Sequence, residues 1–260
     1  PIHLFLQFWY HTRLINKLGV LEYILVTPSH HRVHHAINPE YLDKNYSQIF
    51  ILWDKLFGTF QCELDNVKPV YGILRPASTW NPIIINFKHL GQLCKDAWYT
   101  KKIIDKLKIW FMPTGWRPVD VDKRYPLQQI QNPKEQIKYT TDNSPLLLAW
   151  TWMQLIITVM WMFHLFIVMP NYSITMYYLY ALLLLIHIFS FTASLDYKFY
   201  AIITDCLKFI LGGIMLYYQN YTWFGLNNFF SILLIIYFIF SIIITYYFYA
   251  VRKIYNQKIA

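Results

Sequence analysis

The chain has 260 residues, of which 56% are apolar and 20% aromatic but only 14% are Asp, Glu, Lys or Arg, well below the roughly 25% charge of an ordinary soluble domain. This excludes a free soluble globule, a disordered chain and a collagen-like repeat, and it points to a membrane protein. The net charge of +9 fits basic loops facing the cytosol and predicts no nucleic-acid partner, while Cys62, Cys94 and Cys206 are too few and too scattered for a disulfide framework or a cysteine-based zinc site.

The opening PIHLFLQFWYHTRL is apolar to about Tyr10 and turns basic at Arg13 and Lys17. It lacks the basic start and small-residue cleavage site of a signal peptide. It reads as the last turns of a transmembrane helix, so the chain is expected to be the C-terminal portion of something longer. His11 sits at the cytosolic end of this stub, four residues after Gln7 and on the same helical face. Next come four histidines within six residues, His30-His31-Arg32-Val33-His34-His35. On a helix His31, His34 and His35 share one face, and His30 points about 100° away from His31. Neutral imidazole suits Fe, Zn, Cu and Ni, and a metal is the natural way to hold rings that repel each other when protonated. Thr27-Pro28-Ser29 predicts a helix start just before the cluster, with Ser29 as a good N-cap.

Residues 51–60, ILWDKLFGTF, read as a short helix ending at Gly58. KKIIDKLKIWFM (101–112) sets Ile103, Ile104, Leu107 and Trp110-Phe111 along one side with lysines elsewhere, the pattern of a helix lying in the membrane interface. PTGWRP (113–118) is a breaker, and 119–144 is polar and reads as loop.

The charge map divides the chain near residue 144, since residues 1–144 carry 18 of the 23 Lys/Arg and 12 of the 14 Asp/Glu. The runs 143–195 and 209–251 have none. At about 20 apolar residues per crossing, four spans follow, near 146–168, 174–194, 199–218 and 227–251. The third is the weakest because Asp205 and Lys208 lie inside it. Basic and neutral loops alternate, which places 11–144 and the C-terminus in the cytosol. His164 and His187 fall inside spans, where a neutral histidine bonded to another helix is expected. The expected class is all-α: the end of a histidine-bearing helical domain (1–65), a cytosolic or interfacial segment (66–144) and a four-helix transmembrane region (145–260).

His31-Arg-Val-His34-His35, then Asp43-Lys44-Asn45-Tyr46, then Leu52-Trp53-Asp54-Lys55-Leu56-Phe57-Gly58-Thr59-Phe60 resemble the last histidine box and following signature of the fatty acid hydroxylase/sterol desaturase superfamily, the integral-membrane di-iron oxygenases of the endoplasmic reticulum. QFWYHT (7–12), residues 16–25, TPSHHRVHH (27–35), VYGILRP (70–76), PTGWRP and the four hydrophobic segments resemble the branch of that superfamily that cleaves glyceryl ethers. The resemblance implies two irons, ligated here by His31, His34 and His35, with His11 matching a histidine just upstream of the box. It implies O2 as co-substrate, tetrahydrobiopterin as electron donor, and hydroxylation of the ether-linked carbon of an alkylglycerol to a hemiacetal that falls apart to glycerol and a fatty aldehyde. It places Asn45 and Tyr46 near the substrate or pterin, and the protein in the endoplasmic reticulum membrane, multi-pass, with the histidine box facing the cytosol. It assigns no further catalytic residue. The family's two earlier boxes are absent from this chain, so residues 1–260 alone are expected to be inactive. Two other readings stay open: another superfamily enzyme acting on sterols or fatty acyl chains, and a non-enzymatic membrane protein whose histidines bind zinc.

Overall fold

The computed structural model describes residues 7–113 and 115–259. Its regular structure is helical, and among the described residues extended pairing is confined to isolated bridges such as Leu25 with Phe50 and Ala36 with Tyr71. The chain forms two compact units, 1–76 with 119–138 and 77–118 with 139–260. Residues 66–144 are divided between these two units.

In the first unit, a 3-10 turn covers Gln7–Tyr10; residues 1–6 of the predicted helical stub lie outside the described residues. A second 3-10 turn, Gly19–Tyr23, leads to helix α1, Pro28–His34. The cap of α1 is Thr27 and not the expected Ser29. Pro28, whose missing N–H costs nothing at the first helical position, opens the helix, and His30 reaches back so that its Nδ1 accepts from the Thr27 N–H at 3.4 Å. Ser29 is pulled elsewhere, donating with Thr27 to Glu22 Oε1. One side of α1 is apolar: Val33 is fully buried and packs with Ala36 and Tyr41. The Tyr41 hydroxyl donates to the Val67 carbonyl at 2.6 Å. Helix α2, Leu52–Phe57, stops at Gly58 as predicted, because Gly58 takes the left-handed φ of 75° that terminates a helix. Residues 119–138 hold a short helix, α5 (Val119–Arg124), and a 3-10 turn at Pro133–Glu135, where the sequence had suggested loop throughout.

The second unit begins with a helix that its composition had hidden, α3, Pro82–Tyr99. Its start is chemically explicit: Asn81 Oδ1 accepts from the Ile83 and Ile84 N–H groups, and Pro82 follows the cap. The predicted interfacial helix is shorter than expected, α4 covering only Ile103–Lys108; beyond it the chain turns toward Pro113. Four long helices follow: α6 (Pro145–Val168), α7 (Ile174–Leu195), α8 (Tyr200–Tyr218) and α9 (Asn228–Ile259). Each is long and apolar enough to cross a membrane. Ser144 and Ser173 cap α6 and α7. The bundle core joins Leu165, Tyr180, Leu183, Met215, Trp223 and Phe238, while Ile232, Ile236 and Ile239 stay exposed on the outside, the arrangement of a bundle whose outer solvent is lipid.

Several polar groups inside the bundle are paired, as a low-dielectric interior favours, although Trp150 Nε1, Gln154 Nε2 and Ser231 Oγ are buried without a hydrogen-bond partner. His164 Nδ1 lies 3.1 Å from the Tyr180 hydroxyl, and His187 Nε2 donates to the Gln154 carbonyl at 3.2 Å, so both span histidines bond another helix. Helix α8 keeps Asp205 and Lys208 fully buried as an ion pair. Lys208 Nζ donates to Ser241 Oγ at 2.9 Å, and Thr245 Oγ1 donates to Asp205 Oδ2 at 2.6 Å. Both hydroxyls come from α9, which is how the weakest span of the sequence becomes a regular helix. Gly212 on α8 lies against the Phe238 ring so closely that a Cβ would collide with it.

Candidate metal centre

The side of α1 opposite Val33 carries the histidines. His31 and His35 lie one turn apart and their Nε2 atoms approach to 2.9 Å. His11 comes from the chain bend after the first 3-10 turn and brings its Nε2 to 2.7 Å from that of His31. The ligand atoms of His11, His31 and His35 all fall within 4.8 Å of one another. Gln7 and His11 do not present side chains on one helical face as expected. Instead His11 Nδ1 lies 2.8 Å from the Gln7 backbone carbonyl. A carbonyl only accepts, so Nδ1 carries the proton and the lone pair of neutral His11 is on Nε2, toward the other two rings. A ligating histidine is commonly fixed in this way by its second nitrogen.

The surroundings disfavour a positive charge on His31 and His35. Burial lowers the pKa of His31 to about 3, helped by the positive charge that His35, His11 and His34 would place beside it. His35 is lowered by burial and by His34 and His11. Tyr10, nearly buried, sets its ring 4.3 Å from that of His31. Deprotonated imidazole nitrogens converging on one point form the donor set that a transition metal needs, and such a set suits iron and zinc alike. The residues therefore fit a metal ion, with His11, His31 and His35 able to hold it. Beside the trio opens a cavity of about 630 Å3 lined by Tyr10, His11, Arg13, His31, His35 and Tyr71. Its wall is mostly apolar, and Arg13 lies over the Tyr71 ring at 4.8 Å.

The other predicted residues are placed differently. His34 is exposed and stands at the edge of the cluster, its ring 5.6 Å from His31 and 5.1 Å from His35, outside the converging trio. Tyr46 is exposed, 6.2 Å from the His34 ring, and its hydroxyl donates to Asp43 Oδ1. Asn45 is buried and absent from the cavity wall. Its Nδ2 donates to the His30 and Gln61 carbonyls at 3.1 and 2.7 Å, and its Oδ1 accepts from the Gln61 N–H at 2.9 Å. Its amide is thus occupied by backbone, bracing α1 against residues 59–61. Asp54 takes a parallel role, accepting from the Tyr46 and Ser47 N–H groups and from Thr59 Oγ1. His30, which the sequence had set aside as an unneeded neighbour of the box, is buried and holds the start of α1.

Two residues around the trio had no signal in the sequence. Arg32, between the ligand candidates, makes a forked ion pair with Glu63 and also donates to three main-chain carbonyls of residues 12–16. Glu63 lies 31 residues away, and no periodicity links the two.

A family model described as fatty acid hydroxylase matches residues 2–59. Alkylglycerol monooxygenase of Homo sapiens is 48% identical to the chain over 116 residues, which is 45% of this chain and 26% of that protein. The Xenopus tropicalis alkylglycerol monooxygenase is 45% identical over the same shares, and that of Caenorhabditis elegans is 40% identical over 121 residues, 43% of this chain and 24% of that protein. The chain thus matches about a quarter of the length of these relatives. No solved structure matches it. Residues 2–59, which contain the whole histidine trio, carry the fatty acid hydroxylase pattern, and over somewhat less than half its length the chain resembles the alkylglycerol monooxygenases.

Proposed function

We propose that the chain is part of a membrane di-iron monooxygenase acting on lipids, one that uses tetrahydrobiopterin to cleave the ether bond of alkylglycerols to a fatty aldehyde and glycerol. The observation that carries this reading is the convergence of three imidazoles on the wall of a mostly apolar cavity, within a segment similar to alkylglycerol monooxygenases. Iron bound there would supply the redox chemistry by which O2 attacks the C–H bond beside the ether oxygen: one oxygen atom is inserted into that bond, and the other leaves as water with two electrons and two protons from the pterin. His11, His31 and His35 hold one ion. In this reading His34, beside them, serves a second. The apolar wall seats an alkyl chain and keeps water from the reacting carbon. His11 Nδ1–H donates to the Gln7 carbonyl, which leaves Nε2 turned toward the other two rings. The four apolar helices keep the site at the bilayer that supplies the substrate, and in this reading the bilayer is the endoplasmic reticulum membrane with the histidines on its cytosolic side.

Membranes containing the full-length protein are assayed for fatty aldehyde released from an alkylglycerol. Release that needs O2 and tetrahydrobiopterin, stops with an iron chelator, and vanishes in His31→Ala and His35→Ala is the expected result. A sterol product supported by NADPH and cytochrome b5 would transfer the chain to another branch of the superfamily. Stoichiometric zinc with no turnover would make it a metal-binding scaffold.

A further inference from the structure

We propose that Arg32, anchored by Glu63, is the positioning residue that sets His11 in place against His31 and His35. This rests on reading the histidine trio as a metal centre. Two of the three rings come from one helix, so their spacing is set by its pitch. The third comes from residues 11–18, a stretch outside regular helix or strand, whose carbonyls have no ladder to bond. Backbone acceptors in that state need partners from elsewhere. Arg32 provides them. Its Nη1 donates to the carbonyls of Thr12 and Ile15 at 3.0 and 2.8 Å, and its Nη2 donates to that of Asn16 at 3.2 Å. The remaining edge of the guanidinium grips Glu63, with Nε at 3.1 and 2.9 Å from the two carboxylate oxygens and Nη2 at 2.6 Å from Oε2.

Both side chains are largely shielded, at 11% and 19% exposure, so the pair is not a screened surface contact of little consequence. The geometry also places the tie correctly. Arg32 follows His31 directly, and Thr12 follows His11 directly, so one guanidinium joins the chain beside one ligand candidate to the chain beside another. Local contacts of His11 are less directed: the bond to the Gln7 carbonyl fixes the ring relative to its own turn, and that turn meets α1 through the Tyr10 ring, 4.3 Å from that of His31, a contact without the direction of a hydrogen bond. A lysine cannot replace it either. The planar fork addresses a carboxylate on one edge and carbonyls on the other, whereas an ammonium offers three donors from a single point.

The test measures Co2+ affinity from the visible absorption of the bound ion, using the whole chain in detergent micelles, with Arg32→Lys, Glu63→Gln, His11→Ala and the double variant Arg32→Lys/His11→Ala. Arg32→Lys is expected to weaken Co2+ binding by about tenfold or more, the usual loss for a residue supporting a ligand. If it acts through His11, the double variant binds no more weakly than His11→Ala alone. Multiplied losses in the double variant, or affinity of Arg32→Lys within twofold of the parent, overturn the proposal. If Arg32→Lys does not fold, Glu63→Gln decides. It keeps every carbonyl bond but loosens the anchor, and it should weaken Co2+ binding several-fold without adding to His11→Ala; unchanged or multiplying affinity overturns the proposal there too. His31→Ala separates the two claims, since unchanged Co2+ affinity in that variant would remove the metal centre itself, whatever Arg32 does.

Discussion

Asn45→Ala isolates the brace beneath the histidine helix. Asn45 sits at φ 52°, a conformation Asn tolerates and Ala does not, costing about 1 kcal/mol for a Cβ without a compensating local bond. The substitution also strips the Gln61 N–H and carbonyl of their partners, and at a half-buried backbone site each such loss costs about 1 kcal/mol. Asn45→Ala should therefore weaken the local fold by about 3 kcal/mol, and Asn45→Gly, which accepts the left-handed backbone, by about 2 kcal/mol. The amides of Thr59 and Phe60, which donate to the Asp54 carbonyl at 2.8 and 3.1 Å, report the effect through hydrogen exchange. Since about 1.4 kcal/mol is a factor of ten, their protection should fall roughly a hundredfold in the alanine variant and about thirtyfold in the glycine variant. Unchanged protection in both, with the loss confined to KM for substrate, would refute the brace and return Asn45 to the substrate- or pterin-binding role its position in the signature suggests.

Two further outcomes follow from charged groups. Burial pushes the Asp54 carboxyl up, but the bonds from Thr59, Ser47 and the Tyr46 backbone outweigh it and hold the pKa below its ordinary value. A carboxyl depressed in the folded state adds stability above about pH 4 that is lost as pH falls through the folded value. The urea midpoint of the parent should therefore drop with acid in a limb that Asp54→Asn lacks, the variant being weaker at neutral pH; parallel pH profiles would contradict this. In the bundle, Lys208→Met leaves Asp205 as an uncompensated buried charge and should cost about 3–5 kcal/mol, whereas Asp205→Asn with Lys208→Met should recover part of it. Thermal denaturation in detergent, followed by size-exclusion chromatography, distinguishes them, and a single variant as mild as the double would show that the pair contributes little.

The four bundle helices were legible to within a residue or so at every end but the last, where α9 runs on to Ile259 past the expected 251, because a crossing segment must be apolar for about 20 residues and end at capping or breaking groups. Ser144-Pro145, Pro170 and Ser173 mark those ends as plainly in the sequence as in the structure. Helix α3 was not legible: with Asn86, Lys88, His89, Lys95 and Asp96 interspersed among its apolar residues, it shows neither a continuous apolar run nor a clean stripe, and only the Asn81-Pro82 cap signals it. The interfacial helix was overextended because the spacing of Trp110 and Phe111 continues the pattern after the backbone has left it.

The histidine box shows the same division. One helix puts His31 and His35 one turn apart by its own geometry, so sequence alone determined that these two imidazoles meet. Helical pitch also put His34 on that face, but whether a side chain reaches a shared point depends on what packs around it, and there the third position belongs to His11, twenty residues earlier. The signature residue Asn45, expected near substrate or pterin, has its amide bonded to backbone, and Asp54 likewise accepts from backbone N–H groups. Arg32 and Glu63 carried no pattern at all. Spacing along a chain determines contacts within a helix, where the backbone fixes the distance. Contacts between segments far apart in sequence depend on which unpaired carbonyls and carboxylates the fold brings together, and only the tertiary structure decides that.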